Sequence, residues 1–183
     1  MTPRPHVLVS VAMSIDGYID DMNDARLMLS NEEDFDRVDE VRASVDAILV
    51  GANTIRRDNP RLLVRSSKRQ EERVRHGLTL HPMKVTLTGR GDLDATARFF
   101  SSGDIEKIVY TRDLAVPALR EALGDAATVV AAGEPVDAGA VLDDLGERKV
   151  GRLMVEGGSK IHTQFLAEGL VDEIHLVIAP FFV

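Results

Sequence analysis

Two kinds of hydrophobic pattern alternate along this chain. Positions 7–13, Val-Leu-Val-Ser-Val-Ala-Met, form an apolar run of strand length, and Asp16-Gly17 behind it supplies a turn. That run predicts a buried first strand. Ser30 with Glu33 reads as a capping box, and Phe35, Val38, Val41 and Val45 then recur at near-helical spacing, which predicts a helix ending at about Val45. Positions 47–50 form a second buried strand closed by Gly51, and 54–57 leave room only for a short helix before Asp58-Asn59-Pro60 breaks it. Positions 66–82 are polar without clean periodicity and predict a long surface loop. Beyond them, strand-like runs at 84–87, 107–110, 128–131, 152–155 and 173–178 alternate with helical stretches near 117–123, 137–148 and 159–168. Such alternation predicts an α/β fold with a mostly parallel central sheet and helices on both faces. No repeat or low-complexity tract interrupts it. The last residues, 179–183, are apolar and strand-like, so the expectation is a single domain over 1–183 that lacks its C-terminal strand or strands.

Composition narrows the chemistry. At 183 residues, 44% hydrophobic and 28% charged, the chain is long enough and apolar enough to bury one large core. It has no cysteine, which excludes disulfides, zinc ribbons and a thiolate nucleophile and fits a reducing cytoplasm. No apolar run approaches the roughly 20 residues that span a bilayer, so a cytoplasmic location with no membrane partner is expected. The net charge of −8 makes nucleic acid a poor partner. Against that acidic background, positions 56–75 hold eight Arg or Lys against Asp58, Glu71 and Glu72. The stretch reads either as a solvated loop or as the site of a small anionic ligand. The histidines, His6, His76, His81, His162 and His175, show neither HExxH nor paired ligand spacing, so no metal is expected.

Ligands of open α/β sheets bind beyond the carboxyl ends of the strands, which directs attention to three segments. In the first, Glu156-Gly157-Gly158-Ser159 links a strand to a helix. Its glycines allow an anion to approach the backbone, and the free N–H groups of the helix start can hold it. A tight turn capped by Ser159 is the plainer alternative, and neither GxGxxG nor GxxxxGK[ST] occurs. In the second, positions 50–65 gather Thr54, Asp58 and several guanidiniums. The guanidiniums match phosphate oxygens, and Asp58 is suited either to ligand amino and hydroxyl groups or to capping a turn. In the third, Asp16 follows the first strand and reads as a turn residue. Glu156, directly after a strand, reads as a buried cap or a ligand-facing carboxylate.

Taken in order, SIDGYI, DAILVGANTIRRDNPRLLVR and LMVEGGSKIHTQFLAEGLVDEIHLVIAP resemble the reductase domain of the bacterial riboflavin biosynthesis protein RibD, from about Val7 to Pro180. The resemblance implies a three-layer fold like that of dihydrofolate reductase, and a homodimer. It also implies NADPH-dependent reduction of a ribosylaminopyrimidine 5′-phosphate to its ribitylamino product. Carried over by position, it makes Thr54 and Asp58 cofactor contacts, and it assigns 158–164 to the cofactor phosphates, with Gly157, Gly158, Ser159, Lys160 and Ile161 as the named candidates. Arg42, Leu62, Arg65 and Glu156 become substrate-binding residues, and Asp58 and Glu156 the catalytic candidates. Positions 24–30 depart from the Ser and Trp of many relatives, so no site is carried onto them. Arg90 and Lys160 are candidates for a 2′-phosphate partner. The competing readings are a dihydrofolate reductase-like or other small-substrate NADPH reductase, and a non-catalytic nucleotide sensor whose support is the altered 24–30 segment.

Overall fold

The structure, a computed structural model, describes residues 3–21 and 27–183. Of the 24–30 segment, positions 24–26 therefore lie outside the described residues. Seven strands, β1 (His6–Ser14), β2 (Ala47–Gly51), β3 (Met83–Thr88), β4 (Lys107–Thr111), β5 (Thr128–Ala131), β6 (Arg152–Gly157) and β7 (Glu173–Ala179), form one sheet in the order β5-β4-β3-β2-β6-β1-β7. Every neighbouring pair is parallel. Parallel strands need long crossovers, and the crossovers put helices on both faces. Hence the strands are apolar on both sides and their residues alternate between two cores. Val9, Leu49, Val85, Ile108 and Val155 face the first. Leu8, Ile48, Val50, Val109 and Met154 face the second.

The helices are α1 (Glu32–Ala43), α2 (Ala52–Asp58), α3 (Ser67–Arg75), α4 (Arg98–Ser101), α5 (Val116–Leu123), α6 (Ala138–Glu147) and α7 (Ser159–Ala167). Leu142 and Leu145 of α6 and Phe165 of α7 close the first core. Val41 of α1, Ile55 of α2, Phe99 of α4 and Leu119 of α5 close the second. The chain leaves β1 for α1 on one face and leaves β6 for α7 on the other. The crevice between β1 and β6 is thus the point where the winding reverses, the usual ligand position in such sheets.

Two local expectations change. Asn31, not Ser30, caps α1: its Oδ1 accepts from the Asp34 amide at 2.9 Å and its Nδ2 donates to Glu33 at 2.7 Å. Asn caps as well as Ser, so the helix start slides by one residue. The larger correction is α3, which occupies much of the expected loop at 66–82. Its buried residue is Arg73, whose guanidinium donates to the carbonyls of Thr79 (2.8 Å), Ala43 (2.9 Å) and Val45 (2.7 Å). A helix fastened by a cation and carbonyls has no apolar periodicity to read. The helix is also held through Arg69, which donates to Asp36 and Asp39 of α1.

Asp39 is buried and accepts from the Arg65 and Ser66 amides at 2.5 and 3.1 Å, so it anchors the entry to α3. Desolvation pushes its pKa up, but those amides and the Arg69 guanidinium outweigh it and hold the carboxyl below its ordinary value. Its contribution is therefore complete above the unfolded-state pKa of about 3.9 and is lost as pH falls through the lower folded value. Asp39→Asn is expected to cost about 2 kcal/mol in urea unfolding at pH 7, and the gap to the wild type should close in acid below that pKa. Arg73→Met, which orphans three carbonyl acceptors, should cost about 3 kcal/mol by the same measurement, with Arg73→Lys recovering only part because an ammonium lacks the planar fork.

Candidate active site

β6 stops pairing with β1 at Val9–Val155, while β1 runs on beside β7 to Ser14. The stretch of β1 edge left unpaired by β6, Ser10 to Ala12, forms one wall of a cavity of about 260 Å³ above the end of β6. On the other side of β6 the register with β2 slips: Leu49 lies opposite Val155, but Val50 lies opposite Gly157. Glu156 is the residue left over, as in a bulge, which redirects a side chain at the end of a strand. It meets Arg42 from the last turn of α1 in a two-pronged ion pair, Nε to Oε1 at 2.6 Å and Nη2 to Oε2 at 2.5 Å. Desolvation lowers the Arg42 pKa, but Glu156 more than compensates and holds it above its ordinary value, so the guanidinium stays charged.

The other guanidiniums of this cavity are also committed. Arg37 pairs with Asp34 at 2.8 Å, and Arg57 pairs with Asp20. Asp58, half-buried at the end of α2, is the cavity carboxylate with no hydrogen bond or ion pair among the described residues. Thr54 lies one turn earlier on the same wall.

A second, larger groove of about 1110 Å³ runs along the carboxyl ends of β2, β3 and β4 to Gly133 and the start of α7. The two spaces share Asn53, Gly158 and Ser159. Gly158, at φ +97°, is the N-cap of α7, and no side chain caps this helix. A Cβ on neighbouring Gly51 would come within 2.9 Å of Ile161, so a glycine there lets α7 start close against β2. The first amides of α7 are therefore open at the junction of groove and cavity. Arg90, Lys160 and Arg112 line the groove, with Arg112 paired to Glu134 at 3.1 Å. Among the described residues no group of three or more His, Asp or Glu side chains is arranged to hold a metal ion, and no described helix is long and apolar enough to cross a membrane.

The model of the RibD C-terminal domain matches residues 5–183. The chain belongs to this family. It is 37% identical over 180 residues to the 2,5-diamino-6-ribosylamino-4(3H)-pyrimidinone 5′-phosphate reductase of Archaeoglobus fulgidus, covering 98% of this chain and 82% of that one. The protein of the same name from Methanothermobacter thermautotrophicus is 34% identical, with 98% and 80% covered. Among solved structures, a pyrimidine reductase-like protein of Corynebacterium diphtheriae superposes with a TM-score of 0.85 at 25% identity, covering 98% of this chain and 76% of that one. The deaminase/5-amino-6-(5-phosphoribosylamino)uracil reductase of Thermotoga maritima gives 0.77 at 27%, covering 96% and 44%, so this chain spans less than half of that bifunctional protein.

Within the RibD C-terminal fold, most of the residues singled out in the sequence converge. Arg42, Thr54, Asp58, Glu156, Gly157, Gly158 and Ser159 line the smaller cavity, and Lys160 and Ile161 line the groove. Thr54 and Asp58, expected at the cofactor, face the cavity and not the groove. Leu62 and Arg65 line neither. Leu62 is 3% exposed in the second core, with φ +50°. Arg65 lies outside α1, donating to the Phe35 carbonyl at 2.6 Å with its guanidinium over the Phe35 ring. The basic stretch 56–75 is likewise no single anion site, because Arg56, Arg57, Arg65, Arg69 and Arg73 are spent on Asp92, Asp20, Phe35, Asp36 and backbone carbonyls. Asp16 keeps its turn role, accepting from Ser14 Oγ at 2.6 Å. The sequence reading missed Arg37, which carries no motif, and the direction of His162, which a one-turn offset from Gly158 already implied; Arg57 lay within the segment singled out but was not named as a site residue.

Because the Arg42–Glu156 pair is largely shielded, removing one partner strands a charge. Arg42→Met and Glu156→Gln should each cost about 3 kcal/mol by denaturant titration, and the double variant less than the sum.

Proposed function

We propose that this chain, as one reductase domain, reduces 2,5-diamino-6-ribosylamino-4(3H)-pyrimidinone 5′-phosphate, the compound its relatives are named for, to the ribitylamino product with NADPH. The observation that carries the reading is the junction at Asn53, Gly158 and Ser159, where a compact polar cavity opens onto a long groove. A reductase needs its two ligands in contact at one point and separated elsewhere, and this arrangement provides both.

The groove suits a dinucleotide. The uncapped start of α7 offers amides to a pyrophosphate, and Gly158 leaves room for it to approach. Arg90 and Lys160 at the rim offer cations to a 2′-phosphate, which favours NADPH over NADH. Bound there, NADPH supplies the hydride. The residues of the chain do the rest. The walls formed by β1, α1 and α2 hold the opened sugar so that its C1′ lies at the shared junction. Asp58, as the unpaired carboxylate, stabilises positive charge developing on the C1′–N unit. Glu156, held by both prongs of Arg42, accepts from hydroxyl or ring N–H groups of the substrate and orients them.

A homodimer fits the surface. Ile174, Leu176 and Ile178 present exposed apolar side chains along edge strand β7. A biosynthetic reductase of this type belongs in the cytoplasm.

The experiment is NADPH oxidation followed at 25 °C with the diaminopyrimidinone phosphate, its deaminated uracil counterpart and dihydrofolate in parallel. Turnover of the first is expected, with kcat down at least about 100-fold in Asp58→Asn. Arg90→Ala should raise KM for NADPH about tenfold and leave that for NADH unchanged. Oxidation with dihydrofolate alone would move the assignment to another reductase of this fold.

A further inference from the structure

Positions 158–164 as a block go to the cofactor by resemblance, yet the start of α7 divides the two spaces. Lys160, Ile161 and Gln164 face the groove, whereas His162 lines the smaller cavity together with Gly157 and Gly158. Its side chain belongs to a residue only 8% exposed. Such burial is ordinary for a packing histidine that satisfies both ring nitrogens. Here one nitrogen is not satisfied: Nε2 is buried and has no hydrogen-bond partner among the described residues. The ring also interacts with the Val155 carbonyl, and a ring nitrogen that donates there leaves the other as an acceptor. Desolvation pushes the ring below its ordinary pKa despite the Val155 carbonyl, so the neutral form prevails at pH 7. A neutral acceptor held in a buried wall costs free energy until a donor arrives.

We propose that His162 is a substrate-contacting residue, its Nε2 accepting a hydrogen bond from an O–H or N–H of the ribosylamino part of the substrate. The proposal rests on the reductase reading above and deepens it. It moves His162 from the cofactor side to the substrate side. Because Nε2 is buried, the contact forms as the ring turns toward the cavity, where a substrate donor supplies the partner that it lacks among the described residues. Ser10, buried in the facing β1 wall, lies on the same cavity and leaves the sugar between two short polar groups. An acceptor at this point favours a polyhydroxylated substrate over a flat, apolar one of similar size, because an analogue without the hydroxyl leaves Nε2 buried and unpaired.

The test compares wild type, His162→Gln and His162→Leu. Glutamine offers an acceptor oxygen near the Nε2 position, and leucine fills the space without one. Expected for His162→Leu is a KM for the pyrimidine phosphate about tenfold higher, with most of the loss recovered in His162→Gln. NADPH affinity, measured by fluorescence titration without substrate, should stay within about twofold in both variants. A leucine variant with wild-type kinetics, or one in which NADPH affinity falls in step with KM, overturns the proposal and returns His162 to packing or to the cofactor. If the wild type fails to reduce the pyrimidine phosphate at all, the functional reading has failed separately. Calorimetry with ribose 5-phosphate then decides for His162: weaker binding by the leucine variant than by wild type and glutamine supports the contact, and equal binding by all three overturns it.

Discussion

The geometry of the carboxyl edge depends on β6 ending at Gly157 while β1 continues to Ser14. Had β6 run on, its backbone would have paired with Ser10 to Ala12 and closed the space between β1 and β2. Instead Gly158 takes a positive φ that a side chain resists, and the chain turns away into α7. The single turn has three consequences. It opens the β1 edge to a ligand, it aims the amides of α7 at the groove, and it leaves Glu156 at a register slip where Arg42 can reach it. Position 158 is thus the constraint from which cavity, groove and ion pair all follow, and any Cβ there would also crowd Thr54 Oγ1 at 3.3 Å.

Charge in the smaller cavity is arranged in pairs before any ligand arrives. Arg42, Arg37 and Arg57 each hold a carboxylate, so the cavity presents oriented dipoles more than net positive charge. An incoming phosphate therefore competes with a resident carboxylate for a guanidinium. Arg42 is poorly placed to yield, since its pair is two-pronged and shielded. Arg57 and its partner Asp20 are both more exposed, so solvent can take over that carboxylate more readily, whereas Asp34, the partner of Arg37, is buried. Arg65, whose fork is turned outward onto Phe35, does not line that cavity.

How much of this was legible in the sequence follows from which force holds each element. The strands and the helices at 116–123, 138–147 and 159–167 are held by apolar packing, and their periodicity announced them. α3 is held by Arg73 reaching three carbonyls and by Arg69 reaching two carboxylates. Such a helix looks like a polar loop until its partners are known. The same distinction runs through the site. Gly157, Gly158, Ser159 and Glu156 were readable because a strand ending in glycines has few purposes. Leu62 and Arg65 lie in the same recognisable segment as Asp58, but the left-handed turns at Asn59 and Leu62 carry the chain away from the cavity after α2 ends. Sequence proximity survives such a turn and spatial proximity does not.

His162 shows why direction matters more than membership in a motif. The residues after a glycine turn are commonly read together as a phosphate grip, yet a helix rotates its side chains by about 100° per residue. Lys160 and His162 therefore point to nearly opposite sides of α7, one into the groove and the other into the cavity. A helix that begins at the boundary between two ligands serves both, its backbone amides toward one and a side chain of its first turn toward the other. Any grip of this segment on an anion comes from amides that every sequence shares. A substrate role for its fourth residue depends on the side chain at that position alone, so relatives can differ there in substrate handling without altering how the dinucleotide is held.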